Sequence, residues 1–146
     1  LFSWIITATH AYLNARWFAE HGKHLNAAWL RKPAFWAGLL LYYSGFFLII
    51  RHDAILTGLR PCPGGARYCI PRGGFFDYAT CAQYFVELWA WIGFTLLSCG
   101  PNGLFILGVS LANLIPRAAA THAWYLDKFG QEYQALGRNK LVPGVW

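Results

Sequence analysis

The sequence predicts an all-α fold, a multi-span transmembrane helix bundle with about four spans in one membrane domain, 1–146. Three observations lead there. Of its 146 residues 57% are hydrophobic and 12% charged, and mean hydropathy is +0.34, far from a water-soluble average. Eleven Phe, eight Trp and eight Tyr supply rings suited to a lipid-facing surface and a headgroup belt. The apolar residues also come in long runs, with the charges gathered at their ends. A soluble aromatic-rich core is the bland alternative, and those unbroken runs argue against it.

Leu1 to Ala15 opens the chain inside an apolar run, and the sequence holds no Met, so the expectation is a fragment of a longer protein. No basic segment and small-residue cleavage site frame that run as a signal peptide. Pro33 to Ile50 is uncharged between Arg31, Lys32 and Arg51, Asp53, and would extend roughly 27 Å as a helix. Leu88 to Pro116 is uncharged as well, but Cys99-Gly100-Pro101-Asn102-Gly103 is a breaker cluster that divides it. The expected spans are therefore about 1 to 18, 33 to 51, 78 to 98 and 103 to 120.

With four spans the basic residues separate into two sets. Arg16, Lys23, Arg31 and Lys32 lie on one side; Arg51, Arg60, Arg67, Arg72, Arg117, Lys128, Arg138 and Lys140 lie on the other. That bias puts a Gly/Pro-rich loop, 52 to 77, and the C-terminal tail in the cytosol. The net charge of +6 does not signal nucleic acid, because the cations are single and form no basic stripe or stacking platform. Cys62 and Cys69 share that loop and could pair, whereas a loop on the reducing side would keep them as thiols. Cys81 and Cys99 lie in apolar sequence, where a thiol serves as a small hydrophobe.

Chemistry gathers in three places. Arg60 to Tyr78, RPCPGGARYCIPRGGFFDY, carries two Gly-Gly pairs, three prolines and three arginines. Paired glycines let backbone approach a ligand, and arginine grips phosphate bidentately. The competing reading is a juxtamembrane loop whose arginines face headgroups. Glu87 lies inside an apolar helix with Gln83 one turn earlier on the same face and Thr80 near it; an ionisable group there marks a protein-lined cavity, or else snorkels to the interface. Arg117, Thr121 and Tyr125 fall at helical spacing with His122 beside them, a face suited to phosphate or ribose, or an anchor leading into a C-terminal amphipathic helix. His21 and His24 have no third ligand near them and read as a solvated turn, so no metal is expected. There is no GxGxxG, nucleophile elbow, P-loop or clustered histidine box.

These segments resemble one family, the steroid 5α-reductases or 3-oxo-5α-steroid 4-dehydrogenases, in their C-terminal domain. DAILTGLR (53–60), Tyr68 with IPRGGFFDY (70–78), CAQYFVELWAWIGF (81–94), PRAAATHAWYLDKFGQEY (116–133) and Lys140-Leu141-Val142-Pro143 are similar to its motifs in the same order, most densely over 53–146. The resemblance implies a multi-pass protein of the endoplasmic reticulum membrane that binds NADPH on the cytosolic side. Such a protein reduces the carbon–carbon double bond of an enone lipid, a 3-oxo-Δ4-steroid foremost. It implies cofactor-binding roles for Asp53, Arg60, Tyr68, Gln83, Glu87, Arg117, His122 and Tyr125. HAYLNAR (10–16) is similar to a segment that holds the family's carbonyl-binding tyrosine, which makes Tyr12 the catalytic candidate; its partner Glu lies upstream, so this fragment is expected to be inactive alone. Ile49, Cys69 and Gln83 depart from the pattern, each removing or moving a polar contact. The alternatives are a trans-2-enoyl-CoA reductase, an isoprenylcysteine-type membrane methyltransferase using S-adenosylmethionine, and a cofactor-free structural relative. Arg-Gly-Gly-Phe at 72–75 favours the steroid type.

Overall fold

The computed structural model describes residues 2–60, 62 and 67–146. Four long helices carry the chain: α1 (Phe2–His21), α2 (Pro33–Gly58), α3 (Ala82–Ser98) and α4 (Pro101–Phe129), with a single turn, α5 (Gln131–Gln134), after them. Among the described residues there is no strand, only one isolated parallel bridge between Ala79 and Asn139.

α2 begins at Pro33, whose fixed φ and missing N–H suit the first helical position. It runs on to Gly58, about two turns past the end expected at 51, because Arg51 and Asp53 punctuate hydropathy without disfavouring helical backbone. α3 starts at Ala82 rather than near 78, since 74–77 forms a tight 3₁₀ turn and 78–81 pairs with the chain's last segment. The expected breaker is real: Cys99 takes a left-handed φ of 45°, Gly100 is extended, and Pro101 opens α4. α4 then continues through Pro116 to Phe129, so the expected last span and surface helix are one element. Pro116 withholds only the amide hydrogen that would have reached the Ala112 carbonyl.

α2 and α4 are long and apolar enough to cross a membrane. Only 11% of the most apolar window of α2 and 22% of that of α4 is buried, which separates them from the core helices of a soluble protein. Trp36, Leu40, Tyr43, Phe47 and Ile50 on α2 and Leu104, Phe105 and Val109 on α4 point outward. α1 and α3 do not reach the same length and hydropathy: α3 has 17 residues, and α1 carries Arg16, Glu20 and several other polar groups. Four spans thus narrow to two helices that meet the test.

The tightest packing joins α2 to α3. Gly38 and Gly45 on α2 face Gly93 and Ala90 on α3, and a Cβ at Gly45 would stand 2.8 Å from the Ala90 Cβ. A Cβ at Gly93 would collide with the Tyr42 backbone nitrogen. Small residues on both faces bring the backbones together, the usual route to helix association where lipid offers no hydrophobic drive. α3 and α4 share a second core of Cys81, Leu88, Leu114, Ala118 and Leu141. α1 and the 3₁₀ turn after it, Gly22–His24, touch the remainder more sparsely, through Asn102 Nδ2 donating to Asn14 Oδ1 (3.1 Å) and His24 Nε2 against the Ser98 carbonyl (3.1 Å).

Candidate functional site

Two polar assemblies organise the end of the bundle where α2 leaves and α3 begins. The first is built on His52, fully buried on α2. Its Nδ1 lies 2.7 Å from the Leu48 carbonyl, which can only accept, so Nδ1 carries the hydrogen. Nε2 is then free to accept the Phe75 amide at 3.1 Å. The ring stacks on Phe75 with centroids 5.7 Å apart. Gly73 and Gly74, at φ 97° and 58°, make this approach feasible: a Cβ on Gly74 would sit 3.0 Å from Nε2. The Gly73 amide donates to Asp77 Oδ1 at 2.8 Å and closes the turn. This glycine pair is therefore used to bring backbone against the chain's own imidazole. A cavity of about 280 Å³ lies alongside, lined by Leu48, Arg51, His52, Gly74, Phe75 and Tyr78.

The second assembly centres on the buried Thr80 hydroxyl. It reaches the Asn139 carbonyl at 3.0 Å, and because a carbonyl only accepts, Thr80 donates there. The Tyr133 hydroxyl donates to it at 2.7 Å. His122 Nδ1, at 2.5 Å, must then be the second donor, which leaves Nε2 of His122 as the unprotonated nitrogen. Main-chain bonds reinforce the join: Thr80 N to Asn139 O (2.8 Å), Cys81 N to Lys140 O (3.2 Å) and Asn139 N to Tyr78 O (2.9 Å). Arg138, 8% exposed, donates to the Pro71 carbonyl at 2.8 Å and lies over the Tyr133 ring, while its Nε has no partner among the described residues. Burial raises the Tyr133 phenol above its ordinary pKa, more than Thr80 and Arg138 lower it.

Of the expected site residues, His122 and Tyr125 are drawn together here, Tyr125 stacking on Tyr133 at 5.0 Å and on Phe129 at 5.7 Å. Tyr68 packs edge-on against Trp124 at 5.1 Å, with Arg67 and Lys128 over its ring. Arg117 is exposed and lies 5.5 Å over the Tyr84 ring. Glu87 stands in a different place, a cavity of about 140 Å³ between α2 and α3 with Tyr42, Phe46, Ile49, Ala90 and Trp91, and accepts the Trp91 indole at 3.3 Å. Gln83 Oε1, one turn before it, is buried with no partner among the described residues. Asp53 and Arg60 are exposed and outside any ion pair among the described residues, and Tyr12 is exposed on α1. The one ion pair among the described residues is Arg16–Glu20.

His52, Tyr133 and Arg138 were not singled out by sequence reasoning. Their partners lie 23, 53 and 67 residues away, beyond the reach of any spacing argument. Cys62 and Cys69 form a disulfide, the pairing their shared loop allowed, so they are not the thiols that a loop on the reducing side would keep. No group of three potential metal ligands occurs among the described residues.

Fold and polar end together define an all-helical domain, two of whose helices are long and apolar enough to cross a membrane. The chain belongs to the 3-oxo-5-alpha-steroid 4-dehydrogenase family, whose model matches residues 2–146. It is 37% identical over 148 residues to the steroid 5-alpha-reductase DET2 of Solanum lycopersicum, covering 99% of this chain and 54% of that protein. To the 3-oxo-5-alpha-steroid 4-dehydrogenase 1 of Mus musculus it is 36% identical over 141 residues, 97% of this chain and 54% of the relative. The human protein of that name is 37% identical over 134 residues, 92% and 50% respectively. The chain spans about half the length of the curated relatives it matches.

Proposed function

We propose that a full-length protein carrying this chain is an NADPH-dependent reductase of the double bond conjugated to a ketone in a lipid, a 3-oxo-Δ4-steroid foremost. The family match over residues 2–146, with relatives in a plant and two mammals named for steroid reduction, carries the reading. We further propose that all four long helices lie across the endoplasmic reticulum membrane, with the arginine-bearing 59–81 loop and the C-terminal segment on one and the same side.

The residues present suit the cofactor in donor chemistry. Gln83 Oε1 is a buried acceptor without a partner, and Arg60 and Arg117 are exposed guanidiniums outside any ion pair among the described residues. Bound NADPH would supply a hydride to the β carbon of the enone. Arg60 and Arg117 would hold its phosphates bidentately, and Gln83, Glu87 and Asp53 would accept hydrogen bonds from amide or ribose hydroxyl groups. His122 offers only Nε2, since Nδ1 is committed to Thr80. Tyr68 and Tyr125 present hydroxyls with no partner among the described residues. Tyr12 is the proposed donor to the carbonyl oxygen, where negative charge develops in the transition state.

The test is turnover: the full-length protein in microsomes, supplied with NADPH, converts a 3-oxo-Δ4-steroid to its 5α-reduced product. Absence of turnover on steroid, enoyl-CoA and polyprenal substrates would refute the reading. Arg117→Ala is expected to raise KM for NADPH about tenfold, equivalent to about 1.4 kcal/mol, with thermal stability little changed.

A further inference from the structure

Cys69 is one of the positions at which this chain departs from the motifs of its family, and its partner Cys62 stands seven residues before it. Their bond joins two arms of the 59–81 loop. The arm at 59–62 continues from the end of α2, where the Arg60 amide donates to the Thr57 carbonyl at 3.1 Å. The arm at 67–70 lies against α4: Tyr68 packs on Trp124 at 5.1 Å, and Lys128 Nζ stands 6.0 Å over the same ring. Among the described residues no backbone hydrogen bond connects one arm to the other. Cys69 Sγ lies 3.6 Å from the Leu59 carbonyl, but a disulfide sulfur carries no hydrogen to donate. Among the described residues, the covalent bond is therefore what fastens the end of α2 to the arm that docks on α4.

Two features make this bond exchangeable. Cys62 is buried, at 9% exposure, whereas Cys69 is only half-buried, so an attacking thiolate approaches more easily at Cys69. Arg60 and Arg67, each two residues ahead of a cysteine, are exposed cations. Positive charge near a sulfur stabilises the thiolate that leaves when the bond breaks, and accessible disulfides are the ones most readily reduced.

We propose that Cys62 and Cys69 form a reversible exchange site for a small thiol of the glutathione class, and that the exchange releases and refastens the 67–70 arm. A glutathione thiolate attacks Cys69 Sγ; the bond to Cys62 breaks, and Cys62 leaves as a thiolate that takes up a proton. A second glutathione thiolate attacks the glutathione sulfur of the mixed disulfide, and Cys69 leaves and is protonated in turn. The protein disulfide gains two electrons and two protons while two glutathione thiols become one glutathione disulfide, which drives the reverse reaction when it is in excess. Arg60 and Tyr68 stand among the residues proposed to hold NADPH, so release acts on that set. This last consequence rests on the proposed function; the exchange itself uses neither cofactor nor steroid, and its test and the turnover test fail separately.

The full-length protein in lipid nanodiscs, which expose both faces, is equilibrated without NADPH against glutathione buffers of graded reduced-to-oxidised ratio, then quenched and alkylated. Mass spectrometry of the peptides bearing Cys62 and Cys69 is expected to show both sulfurs changing together, from disulfide at ratios like those of the endoplasmic reticulum lumen to thiols at ratios like those of the cytosol. A trypsin pulse reads the arm: cleavage after Arg67 is expected to be about tenfold faster in the reduced protein, following the population of the released arm. Cys62→Ser with Cys69→Ser should cleave at the fast rate at every ratio. Cys99→Ser, which removes the exposed free thiol, should leave both readouts unchanged. A pair still oxidised at the most reducing ratio, a pair found as thiols at every ratio, or cleavage after Arg67 that ignores the state of the pair would each overturn the inference. Should the double serine variant fail to fold, the wild type at the two ends of the buffer series still gives the answer.

Discussion

The α2–α3 contact and the α1–α4 contact are both pairs of adjacent antiparallel helices, yet the first brings backbone against backbone along its glycines and the second stays grooved. Gly38, Gly45, Ala90 and Gly93 remove side-chain bulk from the first, so backbone meets backbone. In the second, Trp17, Leu13, His10 and Phe105 hold the helices apart and leave cavities of about 300 and about 370 Å³. Residue size at a few helical positions, more than overall hydropathy, decides whether two apolar helices form a wall or a groove.

The largest effect is expected where the wall is thinnest. Gly93→Leu has no room against the Tyr42 backbone, and should cost about 3 kcal/mol or more, read as loss of the folded fraction in detergent. Next comes the end of the same wall: His52→Ala strands the Phe75 amide and opens a void, for an expected loss of about 2–3 kcal/mol in chemical unfolding.

A smaller effect concerns pH. The Tyr133 phenol has its pKa raised by burial, so its contribution is fully present below the unfolded value near 10. It disappears as pH rises through the higher folded value. Melting temperature should therefore fall more steeply above pH 10 in the wild type than in Tyr133→Phe. The smallest effect is the control for the first: Gly108, on α4 with open space where its Cβ would be, should accept Ala with a change within about 1 kcal/mol, of stabilising sign. A Gly108 as sensitive as Gly93 would break the contrast between sealed and open faces.

Much of this architecture was legible in the amino acids. Pro33 after two cations and the Cys99–Gly103 breakers mark helix ends by local backbone chemistry, and both appear where expected. Hydropathy misplaced the end of α2, because a charge ends a membrane-favourable run without ending a helix. The beginning of α3 was misplaced for another reason: residues 78–81 are held by carbonyls from 139 and 140, a partner no window includes. At the site, Glu87 and Gln83 stood out as polar groups in apolar sequence, and Gln83 Oε1 has no partner among the described residues. His52 gave no such signal, since it sits between Arg51 and Asp53, where a histidine reads as solvated.

The pairing of Thr80 with Asn139 also sets an order of events. The two residues are 59 apart, a stretch that takes on the order of several seconds to synthesise. During that interval α3 is complete while the amides of Thr80 and Cys81 wait for their carbonyls. The polar mouth thus cannot close before the whole of α4 and the segment after it have been made. A ribosome stalled between these two positions would leave that entrance unmade.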